Sequence, residues 1–171
     1  HCFVLIGALS ASPPARAQSA AESPDATAVR AWLQEYEASW AAADGARMYR
    51  AATDDVEWIN IVGMHWRGKA EVVDAHVAYL TTMFRDTPMQ LLGIDSIRPV
   101  GADGLVVVAR WSVGQFTTPT GHVIPPSEDR MTLVFERSED GLRLVHGANI
   151  QIDPVAAASD PIRRDAQPQA E

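Results

Sequence analysis

The sequence has few of the residues on which several classes of protein depend. Its 171 residues include one cysteine, Cys2, which excludes an intramolecular disulfide and every zinc site built from thiolates. Lysine and arginine number 14 against 22 aspartate and glutamate residues, which gives a formal net charge of -8 at pH 7. Because no local cluster of basic residues offsets this charge, the sequence disfavours binding to nucleic acid.

Motifs for metals and cofactors are also lacking. The sequence contains no glycine-rich dinucleotide loop, no His-Glu-x-x-His motif and no set of carboxylates at the spacing of metal ligands. We therefore predict no bound metal and no cofactor. The apolar run from Cys2 to Leu9 is too short to cross a bilayer, and no other segment approaches the ~18 apolar residues that a membrane span needs.

The length and the 47% apolar share fit one globular domain, which we predict at residues 24–153. Residues 1–17 end in the small-x-small triplet Ala15-Arg16-Ala17 and resemble a secretory signal peptide truncated at its start, which predicts a secreted or periplasmic product. A buried N-terminal strand is the alternative. Residues 154–171 are rich in Ala, Pro, Gln and Asp, which favours a mobile C-terminal tail.

Helical patterns occupy the first half of the domain. Ser23-Pro24-Asp25 is typical of a helix start, and the apolar stripe that follows predicts a helix to about Ala43. Further helices are predicted over about 46–52 and 69–85, the last with His76 on its apolar stripe.

Strand patterns dominate the second half. Strands are predicted over five segments: 56–62, 89–100, 105–116, 128–137 and 142–152. The first would place Trp58, Asn60 and Val62 on one face. Glycine-containing turns at 101–104 and 138–141 predict two hairpins, and the proline-rich segment 117–127 predicts a loop. Helices followed by antiparallel strands indicate an α+β fold.

One stretch of the sequence carries a family resemblance. Residues 58–68 (WINIVGMHWRG), Ala75-His76 and residues 84–87 (FRDT) resemble the SgcJ/EcaC branch of the SnoaL-like, or nuclear transport factor 2-like, superfamily. The resemblance covers nearly all of residues 25–152. It implies a cystatin-like cone of three N-terminal helices packed on a curved antiparallel β-sheet, and a homodimer formed through the outer sheet face. Proteins of this branch are often labelled oxidoreductases, but the sequence offers no residues for redox chemistry.

The resemblance breaks at the last strand. Where the branch usually has Ala-His-Asn, this sequence has Gly147-Ala148-Asn149, so the family histidine is replaced by Ala148. His146 alternates with Leu142, Leu144 and Ile150, which predicts that it points inward and could replace the missing histidine.

The distant relative ketosteroid isomerase suggests roles for two positions. The resemblance places Tyr36 where that enzyme has its oxyanion tyrosine and Asn60 where it has its general base. Because asparagine cannot accept a proton at neutral pH, the same isomerisation is not expected here. Asp129 lies in phase with Met131 and Leu133, near the place of the isomerase's neutral aspartate. Burial would raise its pKa towards a useful range.

These arguments define a set of candidate residues, most of which have a structural alternative. The predicted catalytic residues are Asp129, His76 and His146, and the predicted ligand-binding residues are Tyr36, Trp58, Asn60, His65 and Trp66. The alternatives are a core aromatic for Tyr36, a backbone cap for Asn60, a satisfied core histidine for His76, an exposed hairpin for His65 and Trp66, and an ion pair to Arg130 or Arg110 for Asp129. The function predicted is binding of a small, partly apolar organic molecule, with proton-transfer or hydrolytic-type chemistry. A non-catalytic ligand-binding or protein-interaction module is the alternative.

Overall fold

The computed structural model describes residues 23–162. The predicted signal peptide and the last residues of the predicted tail, 163–171, lie outside the described residues. The elements in chain order are α1 (Pro24–Ala41), α2 (Gly45–Met48), β1 (Ala52–Ile59), β2 (His65–Arg67), α3 (Lys69–Leu80), β3 (Met89–Val100), β4 (Gly104–Val113), β5 (Phe116–Thr117), β6 (Val123–Ile124), β7 (Ser127–Ser138), β8 (Gly141–Gln151) and α4 (Pro154–Ala157).

The first helix begins as its sequence predicts. The Ser23 side chain accepts a hydrogen bond from the Ala26 backbone N–H at 3.2 Å, and Pro24 occupies the first turn, where its missing N–H costs nothing. Every third or fourth residue then enters the core, including Val29, Leu33 and Tyr36.

The other helices differ from the prediction of three N-terminal helices. The described chain has four, of which only α1 and α3 are long, with 18 and 12 residues, while α2 and α4 have four residues each. The third helix was expected to reach Arg85 but ends at Leu80. Its C-terminal carbonyls are taken by the side chains of Thr81 and Thr82, and Asp86 has a positive φ of 61° that no helix continues through.

Six strands form a curved sheet in the order β2-β1-β8-β7-β4-β3. The prediction of a purely antiparallel sheet is wrong, because β1 runs parallel to β8 while the other neighbours are antiparallel. No hairpin joins β1 to β8, since almost the whole domain lies between them, so a turn does not fix their relative direction. The predicted loop at 117–127 contains a small hairpin of β5 and β6.

A bulge in β8 changes which residues face the interior. Phe135 pairs with Leu144, but Val134 pairs with His146, so one extra residue, Val145, lies in β8. Beyond the bulge, Gly147, Asn149 and Gln151 lie on the inner face. Ile150 lies on the other face and is 66% exposed. The prediction that His146 points inward is therefore wrong: His146 faces outward.

The first strand also ends earlier than predicted. It stops at Ile59, so Val56 and Trp58 are buried as expected, but Asn60 lies in a turn and Val62 is 70% exposed. The predicted shared face therefore ends at Trp58.

The helices cover one face of the sheet, and we call that face the inner face. Large aromatic side chains fill the middle of the cone: Tyr36, Tyr49, Trp58, Trp111 and Phe135 are all fully buried. We call the end of the sheet where β1, β4 and β8 finish and β3 and β7 begin the mouth end. The opposite end is closed by the two predicted hairpins and by an ion pair between Arg137 and Asp25 at 2.7 Å.

The predicted mobile tail begins with an ordered turn of helix. Asp153 caps α4 by accepting hydrogen bonds from the Val155 and Ala156 backbone N–H groups. Within residues 23–162, no helix combines the length and apolar character needed to span a membrane.

Candidate functional site

A groove of about 1000 Å³ lies at the mouth end. Strand ends and α4 supply its walls, with Pro88, Val113, Pro126, Ser127, Gln151 and Ala157 among the lining residues. The predicted ligand-binding residues Tyr36 and Trp58 lie in the cone interior, which is packed with aromatic rings, whereas this groove lies at the strand ends.

Asp129 lies on the inner face next to this groove. It is paired across the sheet with Trp111 on one side and Gln151 on the other, and it is only 8% exposed. Its Oδ1 accepts a hydrogen bond from Ser127 Oγ at 3.3 Å. Burial raises the pKa of the Asp129 carboxyl to about 6, and the Ser127 hydroxyl opposes that change without reversing it.

The alternative ion pair for Asp129 does not form. Arg110 and Arg130 face outward, where both bind Asp95, at 2.8 and 3.1 Å. The carboxyl of Asp129 therefore has its charged form disfavoured by desolvation, with no cation among residues 23–162 contributing to its pKa shift.

Two neighbours of Asp129 have buried polar atoms without partners. The indole N–H of Trp111 and the Oδ1 atom of Asn149 are buried and make no hydrogen bond to any residue of the 23–162 range, and the same holds for the indole N–H of Trp58. Sequence reasoning missed Trp111 and Asn149 as site residues. Strand periodicity could have placed Trp111 facing inward, but it would have placed Asn149 outward, because only the bulge at Val145 turns Asn149 to the inner face.

His76 is held in a buried network. Its Nδ1 lies 2.8 Å from the Val72 carbonyl oxygen, and its Nε2 lies 2.8 Å from the Tyr49 hydroxyl, which itself bonds to Tyr36. The carbonyl can only accept, so Nδ1–H donates to it and Nε2 accepts from Tyr49. Burial lowers the pKa of His76 to about 4. His76 is thus a neutral core histidine with both ring nitrogens in use, and burial likewise raises the pKa of Tyr36.

This arrangement predicts a fixed tautomer for His76. We expect the imidazole to remain neutral, with its proton on Nδ1, at every pH above about 5, since its pKa is about 4. Nitrogen-15 chemical shifts of the labelled ring measure this directly. A ring that gains a second proton between about pH 6 and 7, near the ordinary histidine value, would contradict the network.

The remaining predicted residues fall in three places. Asn60 accepts hydrogen bonds from the backbone N–H groups of Val62 and Met64, so the cap alternative is what the geometry gives. His65 bonds Glu57 on the outer face at 3.0 Å. Trp66 packs inward against His76 with ring centroids 5.3 Å apart.

Partly buried aromatic rings connect Trp66 to the mouth end. Successive centroid distances are 6.0 Å to Tyr79, 6.3 Å from Tyr79 to Phe84, and 5.1 and 4.7 Å from Phe84 to Trp40 and Phe116. We call these five residues the aromatic arc. Separately from this arc, the groove has the apolar residues Pro88, Val113 and Pro126 in its lining, which suits an apolar ligand. The part of the chain that the structure describes holds no group of three or more side chains suited to a metal ion.

This fold and its apolar mouth define a class of protein, which the comparisons with known proteins identify. No protein-family model and no curated protein matches the sequence. Among solved structures, a protein with a cystatin-like fold from Caulobacter vibrioides is 33% identical, with a TM-score of 0.78 over 83% of this chain and 99% of that one. The chain belongs to the family of that cystatin-like-fold protein.

More distant structures share the fold. A ketosteroid isomerase-like protein from Erwinia carotovora atroseptica is 20% identical, with a TM-score of 0.62 over 77% of this chain and 98% of that chain. A nuclear transport factor 2-like protein from Salmonella enterica serovar Typhimurium is 17% identical, with a TM-score of 0.63 over 74% and 90%. At these identities the likeness concerns the cystatin-like fold.

Proposed function

We propose that the protein binds a small, partly apolar organic molecule at the mouth end, and that Asp129 exchanges a proton with it. The fold is one that typically binds small molecules, and the likeness to a ketosteroid isomerase-like protein is compatible with an enzyme. The observation that carries the proposal is the buried Asp129 carboxyl, which lies beside the groove and whose pKa no cation among residues 23–162 lowers.

The chemistry follows from the state of this carboxyl. A group with a pKa of about 6 is ionised in most molecules at neutral pH, yet it gives up and regains a proton readily there. Ser127 occupies Oδ1, which leaves Oδ2 to accept a proton from a bound molecule. His146 faces outward and His76 has no free ring nitrogen, so neither forms an acid–base pair with Asp129.

The experiment starts from the ligand that accompanies the protein. Native mass spectrometry of purified protein identifies a bound molecule, and incubation in heavy water then follows deuterium entering it. We expect Asp129→Asn to slow this exchange by about a hundredfold or more, and the wild-type rate to rise with pH around a midpoint near 6.

The matched control is Asp95→Asn, which removes a carboxylate from the outer face. It should leave the exchange rate unchanged. Equal rates in wild type and Asp129→Asn would refute a proton-transfer role. Binding without any exchange would favour the second candidate, a non-catalytic ligand-binding module, for which the densely packed aromatic interior argues.

Three further features remain proposals. We propose that the chain is exported, secreted or periplasmic, and that it belongs to the SgcJ/EcaC branch. We also propose a homodimer through the outer sheet face, supported by a cross-strand row of small or β-branched side chains there: Ile59, Ala148, Thr132 and Val108. The substitution Thr132→Arg should then yield a monomer in light-scattering measurements. The oxidoreductase label of the branch finds no support in the residues of the site.

A further inference from the structure

Three strands place a polar residue just below the groove. Val113, Ser127 and Gln151 line the groove at the ends of β4, β7 and β8. Two residues farther into each strand, and therefore on the same inner face, the side chains are those of Trp111, Asp129 and Asn149. We call these three residues the inner triad.

The inner triad is compact. Trp111 and Asp129 are directly opposite each other on neighbouring strands, a relation that puts Cβ atoms roughly 5 Å apart. Asp129 pairs with Gln151, so Asn149 is its diagonal neighbour, at roughly 7–8 Å. The inner triad lies behind Val113, Ser127 and Gln151, so a ring would have to enter from the groove past these three residues to meet it.

The hydrogen-bonding capacities of the inner triad are complementary. The Trp111 indole can only donate, and the Asn149 Oδ1 atom can only accept; both are buried without partners in the described chain. Asp129 has one oxygen bonded to Ser127 and a second oxygen that Ser127 does not use. Buried polar groups are almost always paired, so a donor and an acceptor left unpaired on the two strands that flank Asp129 point to a ligand.

Trp58 shows why the cluster, rather than one indole, carries the argument. Its N–H is also unpaired, but its ring lies nearly perpendicular to Tyr49 and His76, at interplanar angles of 80° and 87°. Such edge-to-face contacts with aromatic rings can accommodate an N–H group. Trp111 has no such perpendicular partner among residues 23–162 and meets Tyr36 at 56°.

Charge excludes the anionic ligands. Within the described residues the inner faces of β4, β7 and β8 carry one arginine, Arg137, which lies at the opposite end of the sheet and pairs with Asp25. These strands therefore place no cation beside the inner triad, and Asp129 itself repels a carboxylate or phosphate.

We infer that the inner triad binds a neutral, planar ring group in which a carbonyl oxygen adjoins an N–H or O–H donor, as in a cyclic amide. The carbonyl accepts from the Trp111 N–H, and the adjoining donor bonds Asn149 Oδ1 or the second oxygen of Asp129. This inference rests on the proposed function, whose ligand it specifies.

Four related bicyclic molecules test the inference at neutral pH. The quinolone meant here is 2-quinolone, which has the carbonyl and the adjoining N–H. Its N-methyl derivative lacks the donor, quinoline lacks the carbonyl, and quinoline carboxylate adds an anion. We expect quinolone to bind wild type about tenfold more tightly than either N-methylquinolone or quinoline. We expect no measurable binding of the carboxylate.

Two variants test which residue recognises the carbonyl of the ligand and which recognises its adjoining donor. Trp111→Phe should remove the preference for quinolone over quinoline, and Asn149→Leu should reduce the preference for quinolone over N-methylquinolone. Thr132→Val, on the outer face of the same strand as Asp129, should change neither ratio. Should Trp111→Phe fail to fold, indole N–H resonances of wild type give the answer: quinolone should shift that of Trp111, but not that of Trp40, which already donates to the Thr87 carbonyl.

The outcomes separate this inference from the proposed function. Equal affinity for quinolone, N-methylquinolone and quinoline would overturn the ligand class, while deuterium exchange into the co-purified molecule would still support the role of Asp129. Preferred binding of the carboxylate, or no binding of any of the four, would likewise overturn the inference. Loss of exchange chemistry with the quinolone preference intact would overturn only the catalytic part of the proposed function.

Discussion

Replacing Gly147 with alanine is expected to destabilise the protein by about 3 kcal/mol or more. Gly147 lies beneath the ring of Trp58 on the neighbouring strand β1, and a Cβ there would lie well inside the van der Waals distance of Cζ3 and Cε3 and 3.0 Å from Cη2. Trp58 is fully buried between Tyr36, Tyr49 and His76, so its ring cannot move away without disturbing the aromatic interior.

Urea unfolding of Gly147→Ala and of a matched control measures this cost. Gly93 lies on β3 with only the end of the Arg110 side chain, 4.0 Å away, near an added Cβ, so Gly93→Ala should change stability by less than about 1 kcal/mol. In a Trp58→Leu background the cost of Gly147→Ala should largely disappear, because the clashing ring is gone. A loss that persists undiminished there would show that the Trp58 ring is not the cause.

Much of the fold could be predicted because local chemistry determines it. The bounds of β3 were predicted as they are observed, and the turns at 101–104 and 138–141 follow from glycines with positive φ, at Gly101 and Gly141. The alternation in β7 is regular around Asp129, where the strand has no bulge, so the sequence also predicted that this carboxyl faces inward.

Long-range pairing explains what the sequence could not show. The bulge at Val145 arises where β8 accommodates both β7 and the parallel strand β1, and it reverses the expected orientation of His146. Gly147 and Trp58 are far apart in sequence, so no local pattern indicates that they pack closely against each other. Asn60 was also misplaced: its alternating pattern predicted a strand, but its side chain accepts hydrogen bonds within a turn.

The candidate site was only half predictable for the same reason. The inward phase of Asp129 was confirmed, but its pairing with Trp111 and its diagonal relation to Asn149 depend on the register of three strands. His76 was placed on its apolar stripe correctly, yet its two hydrogen bonds, one to a residue of a different element, decide that it is a core residue.

Asp129→Asn is expected to stabilise the folded protein at pH 8 by about 2–3 kcal/mol and to leave stability unchanged well below pH 4. The pKa of the carboxyl rises from an ordinary value of 3.8 to about 6 on folding. Between these values the folded state binds more protons than the unfolded state, so wild-type stability falls as pH rises and is level above about 6. Asparagine has the same shape, can still accept from Ser127, and carries no charge to desolvate.

The comparison with the variant is needed because a second buried group acts in the opposite direction. The pKa of His76 is lowered to about 4, so its contribution to stability grows with pH through the same window and masks Asp129 in the wild-type curve alone. Urea midpoints of wild type and Asp129→Asn, measured from about pH 3 to 8, isolate the contribution of the Asp129 carboxyl.

Asp95→Asn is the control of opposite sign. Hydrogen bonds from Arg110 and Arg130 lower the pKa of Asp95, so this variant should be less stable than wild type at neutral pH and approach it in acid. If Asp129→Asn followed the same course, Asp129 would be a stabilising charge rather than a buried acid held ready for a ligand.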